Sequence, residues 1–151
     1  MINRRAVIKA MACGVGLVGV GVLMPRLAVA AWNKQAFAAT SPVAAMKALL
    51  GAEPIATDQV VLKVPSIAAD GAVVPVTVRT ALANVESISV FVAGNRYPLV
   101  AEFLLPDGTE AAVSTRIRVH QSSTITAVVK ADGQLWSASQ ETKVSDGGCS
   151  G

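Results

Sequence analysis

The chain of 151 residues predicts a mainly β protein: an immunoglobulin-like β-sandwich of about seven strands, with a short N-terminal helical segment and a flexible C-terminal tail. Three observations carry that expectation. From Val60 to Val144 the sequence is a series of short runs rich in β-branched residues. Turn signals separate them, at Asp70-Gly71, Gly94-Asn95, Asp107-Gly108 and Asp132-Gly133. No stretch of helical periodicity intervenes, which argues for a sandwich rather than strand–helix–strand units. An apolar fraction of 52% excludes a disordered chain, and two cysteines exclude a disulfide-dense scaffold.

Residues 1–30 read as an export signal of the twin-arginine type. Asn3-Arg4-Arg5-Ala6-Val7-Ile8-Lys9 is a charged opening, Ala10 to Met24 an apolar run, and Ala28-Val29-Ala30 a small-x-small cleavage site. The run holds four glycines and is about 15 residues long, short of the roughly 20 that a membrane span needs, so no permanent membrane anchor is expected. An ordinary secretory leader with paired arginines by chance is the alternative. The expected destination is the bacterial periplasm. The charge follows the leader: Arg4, Arg5, Lys9 and Arg26 account for four of the thirteen basic residues, and what remains is nine basic against ten acidic residues, a formal charge of −1. No stripe for nucleic acid is left.

The mature chain divides into a domain over residues 31–144 and an arm over residues 145–151. A helix is expected from Pro42 to Leu50, with Ser41 as N-cap, proline at the first position and Gly51 as the stop. The preceding stretch, Asn33 to Ala39, also reads as helical, with Trp32 and Phe37 as packing anchors. Strands are expected over Val60–Val64, Val73–Thr80, Ile88–Ala93, Leu99–Leu105, Ala112–His120, Ser123–Lys130 and Leu135–Val144. Pro75 marks its strand as an edge or a bulge. In the fifth run Val113, Thr115, Ile117 and Val119 share one face, and Arg116 and Arg118 the other. A polar outer face is the plain reading of that arginine pair, and a partner-facing or anion-facing patch the sharper one. The last two runs form a hairpin across Ala131-Asp132-Gly133-Gln134.

Conventional catalytic and metal sites find little to work with. His120 is the sole histidine, and beside Gln121 and Ser122 it reads as solvated. There is no glycine-rich phosphate loop and no paired-carboxylate signature. The tail is different. Cleavage after Ala30 discards Cys13, so Cys149 is the single mature cysteine, an unpaired thiol in an oxidising compartment. It stands in Gly147-Gly148-Cys149-Ser150-Gly151, a strip with little side-chain bulk and wide backbone freedom. Five residues past Val144 reach roughly 17 Å at about 3.3 Å each. That is the layout of a tethered arm with a thiol at its working end. Asp146 disfavours the thiolate and no sequence neighbour is a Lys, Arg or His, so the thiol reads as a passive carrier activated inside another protein's active site. The alternatives are an immunoglobulin-like structural or interaction module whose Cys149 forms an intermolecular disulfide, and a thiol oxidoreductase. The absence of a Cys-x-x-Cys pair disfavours the second.

The mature chain resembles the SoxY sulfur-carrier family of the bacterial thiosulfate-oxidising Sox system. The resemblance lies in Ala68-Ala69-Asp70-Gly71-Ala72-Val73-Val74-Pro75-Val76, in Ser114-Thr115-Arg116-Ile117-Arg118, and in Asp132-Gly133-Gln134-Leu135-Trp136 leading to Lys143-Val144 and Gly147-Gly148-Cys149. It implies a covalent carrier and not an enzyme, with Cys149 as the attachment point for thiosulfonate or persulfide. Gly147, Gly148, Ser150 and Gly151 would form the flexible arm, with no catalytic or metal residue and no cofactor beyond the bound sulfur. It also implies a heterodimer with a SoxZ-like subunit, and transient visits to SoxAX-, SoxB- and SoxCD-type enzymes. The family commonly ends Gly-Gly-Cys-Gly-Gly. Ser150 departs from that pattern, adding a hydroxyl and restricting φ where entry into a narrow tunnel matters.

Overall fold

The computed structural model describes residues 32–145. Two helices come first, α1 (Lys34–Ala38) and α2 (Pro42–Leu50), followed by nine strands. These are β1 (Ile55–Ala56), β2 (Val60–Lys63), β3 (Ile67–Ala68), β4 (Val74–Thr80), β5 (Val85–Val92), β6 (Leu99–Leu104), β7 (Ala112–Ile117), β8 (Ser123–Ala131) and β9 (Gln134–Val144). All seven expected strands are present, together with two dipeptide strands that no periodicity signals. The larger sheet runs β1-β9-β8-β5-β6, with β3 also on β9; the smaller runs β2-β4-β7.

Alternation builds the core. Along β4, Val74, Val76 and Val78 are buried while Pro75 and Arg79 are exposed. They meet Ile88, Val90 and Val92 of β5, Ile125, Ala127 and Val129 of β8, and Ile117 and Val119 from the β7 segment. A second apolar layer lies on the other face of the large sheet. There Phe91, Leu99, Val128 and Leu135 pack under Ala36 and Ala45 of the helices. The small alanines let the short helices sit close to the sheet. Caps fix both: the Ala44 N–H donates to Ser41 Oγ at 3.2 Å, Gly51 ends α2 at φ 75°, and Asn33 caps α1 while its Nδ2 donates to the Ala48 carbonyl at 2.9 Å.

Three expectations need correction. Trp32 is 59% exposed: its ring meets Phe37 at 5.4 Å between centroids but does not enter the core. Pro75 lies on the middle strand of the small sheet rather than on an edge strand. Its neighbour β2 ends at Lys63, opposite Thr77, so Pro75 has a strand on one side only and its missing N–H breaks no ladder there. The fifth run stops being a strand at Ile117, and Val119 is buried instead by a loop contact described below. The expected hairpin is tight: Asp132 and Gly133 both have positive φ, at 50° and 72°, as a two-residue primed turn requires.

Candidate functional site

Cys149, Gly147, Gly148, Ser150 and Gly151 lie outside the described residues, as does Asp146. The structure describes the point from which they depart. Strand β9 has eleven residues and pairs antiparallel with β8 along its length, from Ala131↔Gln134 to Ser123↔Thr142. Its last residues are then held from two sides. On one side β3 pairs in parallel, Ile67↔Lys143 and Ala68↔Val144, with Lys143 N–H donating to the Ser66 carbonyl at 2.9 Å and Ser145 N–H to the Ala68 carbonyl at 3.0 Å. On the other, Val144 N–H donates to Ser122 Oγ at 2.9 Å. The ladder therefore continues to residue 145, and Cys149 follows four residues later, within about 13 Å of a fixed root.

A shallow cleft of about 320 Å³ opens beside that root, lined by Asp70, Gly71, Arg118, His120, Val144 and Ser145 among others. Its floor is a close backbone crossing. Val119 N–H donates to the Gly71 carbonyl at 2.7 Å. Asn95 locks the far side, its Nδ2 donating to the Arg118 carbonyl at 2.7 Å and its Oδ1 accepting from His120 N–H at 2.9 Å. Asp70 closes its own turn by accepting from Ala72 N–H at 2.7 Å. Arg116, Arg118 and His120 are all exposed on one side of the β7 segment, as the alternation predicts, and His120 and Arg118 border the arm root. Among the described residues, no group of His, Cys, Asp and Glu could hold a metal ion. No helix among them is long and apolar enough to cross a membrane.

Sequence reasoning missed the residues that set the root. Ser66 to Ala68 follow a proline and fall in none of the expected strands, since a two-residue strand has no period to detect. Asn95 reads as a turn residue and Ser122 only as a neighbour of the solvated His120, and their polar side chains were the available signal.

The family model for the sulfur oxidation protein SoxY matches residues 46–149, a span that covers the sandwich, the root and Cys149 itself. The chain belongs to the SoxY family. Among solved structures, the sulfur carrier protein SoxY from Chlorobium limicola f thiosulfatophilum is 36% identical, with a TM-score of 0.61 over 67% of this chain and 93% of that one. Superoxide reductase (neelaredoxin) from Ignicoccus hospitalis aligns at 16% identity and a TM-score of 0.52, over 58% of this chain and 80% of that chain, a likeness of fold alone. No curated protein matches. As a SoxY protein, the chain has a part in sulfur oxidation, and its mainly β sandwich is that of the family.

Proposed function

We propose that this SoxY-family chain is the periplasmic sulfur carrier of a thiosulfate-oxidising multienzyme system, holding its cargo covalently on Cys149 and presenting it to separate enzymes. The observation that carries this reading is the family match that runs through to Cys149, joined to a relative that is itself a sulfur carrier. The arm root supports it. A strand clamped from both sides to residue 145, followed by a glycine-rich strip with one thiol, separates a rigid body from a working end.

The chemistry asks little of the chain itself. Joining thiosulfate to Cys149 forms an S–S bond between Sγ and the outer sulfur, with loss of one proton and two electrons to the loading enzyme. The chain contributes the nucleophilic sulfur, its reach and a narrow approach. It supplies no cofactor and acts as a carrier without a catalytic site of its own. Export of the folded chain by the twin-arginine leader, with a leaderless SoxZ-like subunit carried along as a heterodimer, completes the reading.

Intact-mass spectrometry of the periplasmic form tests it. Sulfur-containing increments confined to the peptide bearing Cys149 are expected. An unmodified thiol, or a simple disulfide dimer through Cys149, overturns the carrier and leaves the structural module.

A further inference from the structure

The outward face of the small sheet is a patch of one charge sign. Its rungs are read from the register: Val61, Arg79 and Ala112 form one, Lys63, Thr77 and Ser114 the next, and Pro75 and Arg116 the third. The intervening residues, Val60, Val74, Val76, Val78 and Ile117, turn into the core. Arg118 follows Arg116 at the same alternation, just past the strand end. Of the nine basic residues beyond position 30, this face therefore holds four, and it holds none of the nine acidic residues among the described ones. The carboxylates nearest in the chain, Asp58, Asp70 and Glu110, lie in the flanking loops. Among the described residues the one ion pair is Lys130 with Glu86, and none of these four cations has a carboxylate partner there.

The placement adds two facts. No cation on the face is directly opposite another: Arg79 faces Val61 and Ala112, Lys63 faces Thr77, and Arg116 faces Pro75. Local repulsion is thereby kept low while the four fields sum over the surface. The exposed Val61 and Pro75 sit among the cations and supply apolar area for a contact. The face is also continuous with Ser145, the last described residue. Arg116 and Arg118 line one hollow beside Asn95, and Arg118 lines the next, which contains Ser145.

We propose that Lys63, Arg79, Arg116 and Arg118 form a docking face for the acidic surface of an enzyme that processes the arm, a reading that rests on Cys149 being the carrier. Acidic residues around such an enzyme's entrance meet the sheet face, and the entrance then lies within the about 13 Å that four fully extended residues beyond Ser145 can reach. The charges serve encounter and register, and the arm delivers the sulfur.

The test uses the mature chain with a sulfonate on Cys149 and a purified SoxB-type hydrolase as the probe. In the measured reaction the water oxygen bonds to the sulfonate sulfur, the S–S bond breaks, sulfate leaves and Cys149 regains its proton. Arg79→Glu combined with Arg116→Glu should lower kcat/KM for sulfate release at least tenfold at low salt, and added salt should bring wild type down toward the variant. The Arg79→Gln, Arg116→Gln pair should fall between, at an unchanged thermal midpoint, and Lys34→Glu with Lys47→Glu, away from this face, should leave the rate unaltered. Equal kcat/KM in wild type and the double glutamate variant overturns the docking face and leaves the carrier standing. Protection of Arg79 and Arg116 from phenylglyoxal by the SoxZ-like subunit also overturns it, since the face is then that subunit's. No sulfate release from the wild-type conjugate overturns both readings.

Discussion

Gly71 and Val119 are joined by a backbone hydrogen bond of 2.7 Å, and they approach so closely that a Cβ on Gly71 would stand 2.3 Å from the Val119 carbonyl oxygen. The same Cβ would meet Val144 Cγ1 at 3.0 Å. Glycine is required here for proximity, because the turn, the end of the β7 segment and the end of β9 converge on one point. Gly71→Ala should therefore destabilise the fold by about 1–3 kcal/mol, the usual range for overpacking against backbone that must shift. A urea denaturation midpoint measures this, and an unchanged midpoint would show that the crossing yields freely.

Thr142 gives the opposite sign. It is fully buried and its hydroxyl has no hydrogen-bond partner among the described residues. Thr142→Val replaces that hydroxyl by a methyl group and should raise stability by about 1 kcal/mol, since a buried unpaired hydroxyl is desolvated without return. Loss of stability in the valine variant would point to a partner, such as bound water, that the hydroxyl satisfies.

Two substitutions separate chemistry from access in the arm. Cys149→Ser keeps size and polarity and should shift stability by less than about 0.5 kcal/mol, while substrate-dependent sulfur loading vanishes and pairing with the SoxZ-like subunit persists. Ser150→Gly widens backbone freedom and should leave loading intact or faster. Sulfur oxidation by the Cys149→Ser protein, with no second carrier present, would refute the carrier outright.

The leader is tested by location. Replacing Arg4 and Arg5 together by lysine should strand both this chain and its SoxZ-like companion in the cytoplasm, as fractionation and immunoblotting will show. A companion that still reaches the periplasm would rule out co-export.

Periodicity and turn chemistry made the body of the fold legible. Val74, Val76 and Val78 announce a strand by alternation, Asp132-Gly133 announces the hairpin that launches β9, and Ser41 with Gly51 brackets α2. The root of the arm was less legible. Ile67 and Ala68 become a strand because β9 offers them a free edge, a tertiary cause with no local pattern. Trp32 looked like an anchor by its size alone, yet the space under the helices is already filled by Phe91, Leu99 and Val128. Cys149 needed no fold to be noticed, because its isolation and its glycine neighbours are properties of the sequence. The cationic face was half visible: the Arg116–Arg118 pair shows in one strand, but Lys63 and Arg79 join it only through register.

The length of β9 has a mechanical meaning. On the proposed function, an arm drawn into a partner's tunnel would pull along the strand from which it grows, and that strand runs about 36 Å through the large sheet at the usual rise. Nine residue pairs bind it to β8, and they lie across the direction of the tug, so they would have to shear together rather than unzip one at a time. The parallel grip of β3 at the end of β9 meets the tension first. A tether fastened in this way can be tugged repeatedly at its tip without loosening the body that holds it.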